Sequence, residues 1–589
     1  MRYDKLSPGV MTLLNSYRVG GAGAVLGRRQ LFGVHPASSG VAEAAHVPRA
    51  VVFLSVDADA KLDDLAAEGV HVNQPSGELR TAIVPVDKIA RLSDHERIHR
   101  IRPTRYLKLA MDTACKRSDV PTFRRKLGLD GKGVVVGIVD SGIDGSHAAF
   151  KGRIAYVWDQ TVGGGGVREG AYGTETAGGS VAAATDENGH GTHVAGIAAG
   201  EDATYEGVAP AATLVVVKSD LNDGHISDAV RYIFRVARGL GMPAVINLSL
   251  GGHADAHDGT DALSQIIDQQ SGAGRIVCCA AGNEGNDDIH ARLALVPSTT
   301  VEAAFRIPAL NDPGTRSPLS TVTFLNGWYS AGDTLEIAVQ DPGGISTPFQ
   351  RVIRRGNFAR TYDLPAGSVT LSTPGPTPKG DLQFLVEVQG PVSAGVPSNA
   401  GLWRLRAKAG RAVANGTVHV WVYDGGGHGA VMFRGSSVDD AYKIGSPGAS
   451  GEAITVGAYT TRVAWTDQGS TPRQIEMMVN AVAGFSSEGP LRNGVHKPDL
   501  IAPGAMIVSA LSSASSPPDA YRIDNSFRVN AGTSMACPFV SGVIALMLQR
   551  NSKLTPQAAK AALSVCCTRP GGIEYDAKWG HGLIECTTL

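Results

Sequence analysis

The sequence predicts an α/β protein: a doubly wound parallel sheet, interrupted by an inserted β-sandwich and preceded by a small βαββαβ unit. Three observations carry this. From Gly133 to about Gly285, continuous Val/Ile runs alternate with helical segments, the pattern of strands buried on both faces. Between about 300 and 435 that pattern gives way to short alternating strands cut by Gly/Pro turns. The α/β pattern then resumes at Ala453, so a second structure is inserted at a loop of the first.

In chain order, residues 1–48 are Gly/Ala-rich with weak periodicity and read as an irregular arm. Residues 49–103 hold strands at Val51–Leu54, Val70–Val72, Leu79–Val84 and Ile98–Ile101, with helices at Ala60–Glu68 and around Val86, Ile89 and Leu92. That order is a split βαβ sandwich. Residues 104–128 form a charged connector with an apolar stretch from Tyr106 to Met111. Residues 129–286 supply strands at Val134–Val139, Leu214–Val217, Ala244–Leu248 and Arg275–Ala280, and helices at His190–Ala199 and Ser227–Leu240. Residues 287–445 are the sandwich, of the jelly-roll kind, with strands such as Leu335–Val339, Leu382–Val388 and Val418–Tyr423. Residues 446–589 return to the sheet with Ala453–Ala458 and a long apolar helix opening at Ser534.

Lys+Arg 54 against Asp+Glu 55 leaves a net charge of −1, without the basic excess of a nucleic-acid binder. The longest apolar run, near Val543–Leu548, is far short of the ~20 residues that a membrane span needs. No basic segment followed by an apolar stretch opens the chain, so the cytoplasm is the favoured location, with export by another route left open. The seven cysteines show no metal-type spacing and read as free buried thiols. Trp403, Trp421 and Tyr423 of the sandwich suggest either a sugar-binding face or core, and core is favoured.

Three segments place a reactive side chain at a junction of strand and helix: VVVGIVDSGID with Asp140, ENGHGTHVAGI with His190, and NAGTSMACP with Ser534. Between them VCCAAGNEGN carries Asn283 after a buried strand. A serine hydroxyl needs a base to take its proton and a carboxylate to orient that base. The oxyanion then needs fixed donors, such as a helix N-terminal N–H and a side-chain amide. These four residues match that requirement. His190 and His193 together could suggest a metal, but no third ligand follows at a recognisable spacing, and His193 reads as a core histidine. Cys537 reads as a small packed side chain.

The chain resembles the subtilisin-like serine peptidases (subtilases), nearest to bacterial members with an inserted jelly-roll domain. The resemblance rests on those motifs and on GVAPAATLVVVK, INLSLGG, KPDLIAPG and WGHGLIE, covering about 133–286 and 446–589. It implies an endopeptidase acting on protein or peptide substrates, with Asp140 orienting, His190 as base, Ser534 as nucleophile and Asn283 at the oxyanion. It implies that Ser249, Leu250, Gly251 and Gly445 line the substrate site, the two glycines leaving room for a large apolar P1 side chain. It also implies that residues 49–103 are a prodomain, a partner to its own peptidase, with self-cleavage somewhere within 104–120. The stretch GEDATYEGVAP is too short for the family's usual calcium loop, so no cofactor is expected to be required and strong calcium dependence is not expected, with calcium binding left open. The sandwich is a candidate surface for a protein partner. The rival expectation is a catalytically silent subtilase acting as a binding or regulatory protein, but all four site positions are filled. Activity is expected to fall as His190 protonates, near or above ~6.5.

Overall fold

The computed structural model describes residues 47–588 apart from 58, 73–78, 104–117, 309–321, 353–357, 374–380, 391–398, 425–430, 570 and 573, with scattered positions among the first 46. It divides into two compact units, Met1–Lys108 and Leu109–Leu589.

In the smaller unit, strand Arg49–Val56 pairs antiparallel with Leu79–Pro85 on one side and Ile98–Pro103 on the other, and His71–Val72 pairs outside Leu79–Pro85. This is the sheet order of a split βαβ sandwich. Val52, Leu54, Ala82, Val84, Ile89 and Ile101 fill one core. Three expectations are corrected. The arm is not wholly irregular, because Val34–His35 adds an antiparallel strand at Arg49–Ala50. The first helix shrinks to a 3-10 turn over Asp63–Glu68, closed by Gly69 in the left-handed region at φ 75°. The second is a 3-10 turn followed by one α turn, Ile89–Leu92. The expected processing stretch around Tyr106–Met111 lies outside the described residues. The connector ends in a helix, Val120–Leu127, that buries Val120 and Phe123.

The larger unit is built on seven strands: β1 (Val135–Asp140), β2 (Ile154–Asp159), β3 (Thr213–Lys218), β4 (Ala244–Leu248), β5 (Arg275–Ala280), β6 (Ile454–Thr460) and β7 (Leu500–Pro503). They lie side by side in the order β2-β3-β1-β4-β5-β6-β7, every neighbour parallel. The Val/Ile runs that mark these strands in sequence are buried from end to end in β1, β4 and β6. Helix α1 (His190–Ala199) and helix α3 (Thr533–Arg550) cover one face; α2 (Asp223–Gly239) covers the other with Tyr232, Ile233 and Val236. Helix α3 is apolar all round and buried from Thr533 to Leu548, as expected of a helix at the centre of a large core. Strand order reverses beside β1, which puts a crevice at the carboxyl ends of β1 and β4.

Two insertions leave this sheet. The Gly-rich segment after β2 returns Thr174–Ala177 as an antiparallel edge strand, and its Glu169 and Glu175 bond Arg235 and Tyr232 of α2. The larger one, between β5 and β6, forms two antiparallel sheets. One runs His290–Ala294, Thr417–Asp424, Val322–Tyr329, Leu382–Gln389, Gly367–Thr373, Phe358–Leu364; the other runs Gln350–Arg351, Leu335–Gln340, Gly401–Ala409, Thr300–Ile307, Met432–Arg434. Phe305, Leu325, Phe384, Val386, Trp403 and Leu405 share the core between them. Trp403 and Trp421 are fully buried, so they make no sugar-binding face; the Tyr423 side chain lies outside the described residues.

Candidate active site

Asp140 is the last residue of β1, at the crevice, and is 3% exposed. Its Oδ1 accepts the backbone N–H of Ser141 at 2.7 Å and His190 Nδ1 at 2.7 Å. Binding through Nδ1 leaves Nε2 as the nitrogen directed away from the carboxylate. His190 opens α1, whose close approach to β1 needs glycine: a Cβ on Gly191 would lie 3.0 Å from Asp140 Cβ. The N-terminus of α1 is tied down by Asp186, a fully buried carboxylate that accepts Gly189 N–H, Thr192 N–H, the Thr192 hydroxyl and the Ser141 hydroxyl. Burial disfavours a charged His190, but Asp140 and then Asp186 outweigh it and hold the imidazole above its ordinary value, against Arg528.

Ser534 stands in the first turn of α3, 8% exposed. Its Oγ donates to the Ser249 carbonyl at 3.2 Å, so in this rotamer the hydroxyl is not turned to His190. Pro538, four residues on, has no N–H to give the Ser534 carbonyl its helical bond. The Ser249 hydroxyl fills that vacancy at 2.9 Å while accepting Asn247 Nδ2 at 2.9 Å. Removing it orphans two buried polar groups. Ser249→Ala is therefore expected to lower unfolding free energy by about 1–3 kcal/mol, read from urea melts; no measurable loss would mean that the tether is dispensable.

Asn283 follows β5 and is exposed. Its Oδ1 accepts Thr533 N–H at 2.8 Å and the Thr533 hydroxyl at 3.0 Å. A backbone N–H can only donate, so the amide's orientation is settled and its Nδ2 donors are the free end. Gly282 N–H in turn donates to the Thr533 hydroxyl at 3.2 Å.

The structure thus brings Asp140 and His190 into contact, and joins Asn283 and Ser249 to the first turn of α3. The substrate-lining expectations divide. Ser249 points its side chain inward, and Leu250 is half-buried beside the core under α2. Gly251 is exposed, with only Ser446 O at 3.5 Å from a would-be Cβ. At Gly445 a Cβ would collide with the Gly252 carbonyl, where Gly252 pairs with Ser446. His193 is fully buried with Nε2 on the carbonyls of Ile507 and Arg528, a core histidine. Cys537 is buried and its thiol is pushed well up by desolvation. Asp202, in the stretch GEDATYEGVAP, accepts the Thr204 and Tyr205 N–H groups at 2.8 Å each. Among the described residues no cluster of His, Cys, Asp or Glu suits a metal ion, and no helix is long and apolar enough to cross a membrane. Sequence reasoning missed Asp186, Thr533, Glu284 and His253; only the Asp four residues before His190 had a spacing that could have flagged it.

A parallel sheet of this order, with these groups at the carboxyl ends of its strands, defines a subtilisin-like α/β fold. The chain belongs to the subtilase family, peptidase S8, whose profile matches residues 131–332 and 393–582. It is 38% identical over 137 residues to the serine protease AprX of Bacillus subtilis, covering 22% of this chain and 28% of that one. It is 27% identical over 440 residues to the minor extracellular protease Vpr of the same organism, covering 74% of this chain and 48% of that one. The chain thus spans less than half the length of each. Among solved structures it is similar in fold to the CspB protease of Clostridium perfringens, at TM-score 0.65 and 23% identity, covering 81% of this chain and 96% of that one.

Proposed function

We propose that this chain is a serine endopeptidase that hydrolyses peptide bonds through an acyl-enzyme. The observation that carries the reading is the 2.7 Å bond from His190 Nδ1 to buried Asp140, which leaves Nε2 as a base. Ser534 turns from the Ser249 carbonyl to His190, gives its proton to Nε2 and bonds the scissile carbonyl carbon. The developing oxyanion is met by Asn283 Nδ2 and the Ser534 N–H. His190 then passes its proton to the leaving amine, and water repeats the sequence to free the acyl group. Residues Ser249–Gly252 offer main chain to an extended peptide, with tolerance of large apolar P1 residues beside Gly251. No cofactor enters any step, and the expectation of no strong calcium dependence carries over as part of the reading.

The finer organisation belongs to the same reading. Residues 49–103 serve as a prodomain, supported by their split βαβ order, and the sandwich is a jelly roll, supported by its two strand orders. A silent scaffold is not favoured, because every group of the centre is present.

The test is the intact mass of the purified protein beside Ser534→Ala. Cleavage between 104 and 120 in the wild type alone supports self-processing; both chains staying whole, with no labelling of Ser534 by a fluorophosphonate, would overturn the reading. A pH profile adds a second check. His190 must be neutral to act, and its raised pKa means that activity is lost as pH falls through a midpoint above the ordinary value of ~6.5. A rate flat across that range would remove His190 as the base.

A further inference from the structure

The loop after the Ser249–Gly252 segment carries His253 and His257, and the inserted sandwich closes over it. Asn326 of the strand Val322–Tyr329 donates Nδ2 to the carbonyls of His253 at 3.0 Å and Asp255 at 2.7 Å. Trp421 of the neighbouring strand stacks on the His257 ring at 3.9 Å, 4° from parallel, and His257 is fully buried. On the other side, His253 Nε2 faces Glu284 Oε2 at 3.4 Å. That same oxygen accepts the Asn283 N–H at 2.7 Å and the Ser487 hydroxyl at 2.9 Å. A single line of contacts therefore runs from the sandwich to the backbone of the oxyanion residue.

Hydrogen-bond polarity fixes the protons along it. His257 Nδ1 lies 3.3 Å from the Asp255 carbonyl, which can only accept, so Nδ1 carries the proton and Nε2 is the acceptor. His257 Nε2 lies 3.0 Å from His253 Nδ1, which must then donate. The remaining nitrogen of His253 lies 3.4 Å from the Glu284 carboxylate, an ion-pair distance that favours a proton there as well. With a proton on each nitrogen, His253 is an imidazolium. A second pair, His290 and His419, repeats the contact at 3.0 Å, but there His290 Nδ1 donates to the Asp439 carbonyl and both rings are neutral.

We propose that His253 is a positioning residue for the oxyanion hole: as an imidazolium wedged between Glu284 and the sandwich-packed His257, it holds the Glu284 carboxylate on the Asn283 N–H. This rests on the serine-peptidase reading. The charged and titratable groups around His253 are Glu284, Asp255 with Asp261 behind it, His257, and buried Lys443, whose Nζ donates to the carbonyls of Glu284 and Gly285; Arg492 and His290 act on His257 from behind. Burial opposes the charge on His253, but Glu284 and then Asp255 outweigh it, against Lys443, and its pKa is raised. Glu284 is held down to about 2, burial opposing and His253, Ser487 and the Asn283 N–H prevailing. The contribution of His253 is thus present below its raised pKa and lost as pH rises through it. A neutral His253 keeps a single ring proton: with it on Nδ1, Nε2 turns a lone pair on the Glu284 carboxylate, and with it on Nε2, Nδ1 meets His257 Nε2 lone pair to lone pair.

The test compares kcat and KM from pH 6 to 10, on a peptide p-nitroanilide, for wild type and His253→Gln. We expect an alkaline limb in the wild-type kcat that disappears in His253→Gln, with kcat about tenfold lower near neutrality, KM within twofold, and the acid limb of His190 retained. An unchanged alkaline limb, or a change in KM alone as for a pocket wall, overturns the proposal. A wild type with no rate that depends on Ser534 defeats the peptidase reading instead. Should His253→Gln not fold, 15N-histidine-labelled wild type decides. Two couplings across N–H···N bonds are expected at pH 7, one with a doubly protonated donor ring; two neutral donor rings overturn the proposal.

Discussion

Ser534→Ala is expected to lower kcat about a million-fold, the scale established for the subtilisin nucleophile, while KM changes little. The residual rate would be the one that oxyanion donors and substrate binding sustain without a nucleophile. The substitution is structurally mild. Ser534 Oγ makes one bond, to the Ser249 carbonyl, and its backbone keeps both the Ser249 tether and its place in α3. Stability should therefore fall by no more than about 1 kcal/mol, and the loss of rate is chemical rather than structural. Steady-state kinetics beside a thermal melt makes the separation. A variant that retains even a hundredth of the wild-type rate would show that the nucleophile lies elsewhere.

Asn283→Ala should cost 100- to 1,000-fold in kcat, about 3–4 kcal/mol of barrier, again with KM nearly unchanged. The amide is anchored through Oδ1 to Thr533, so its donors are presented without cost of reorganisation when the oxyanion forms. Asn283→Asp separates anchor from donor: a carboxylate still accepts from Thr533 but offers the oxyanion no N–H. It should be at least as slow as the alanine variant. If it is faster, the amide acts by holding Thr533 and not by solvating the transition state.

The parallel sheet was legible because burial on both faces writes itself into sequence as uninterrupted Val/Ile runs; β4 and β5 fall on the expected residues without shift. The helix at His190–Ala199 was equally plain. The short elements of the smaller unit were not. Leu62 and Leu65, like Ile89 and Leu92, lie at helical spacing, yet the first segment is a short 3-10 helix that starts only at Asp63 and ends at Gly69 as expected, and the second is a single α turn. The motif residues Asp140, His190, Asn283 and Ser534 were legible as chemistry, since few other roles put an acid, an imidazole, an amide and a hydroxyl at strand ends and helix starts. Their supports were not. Asp186 looks like any loop acid, and His253 like any loop histidine.

By itself the sequence determined the sheet, the site of the insertion and which four side chains to watch, because hydrophobic period and turn chemistry act between near neighbours along the chain. Only the tertiary structure decided the rest: that Ser249 takes over the bond Pro538 denies to Ser534 across 285 residues, that the Asn283 amide is oriented by Thr533 across 250, and that Trp421 of the sandwich stacks on the loop beside the site. Hydrogen bonds and ring contacts act over a few ångströms in space without regard to separation in sequence, so their polarity and pairing exist only once the chain has folded.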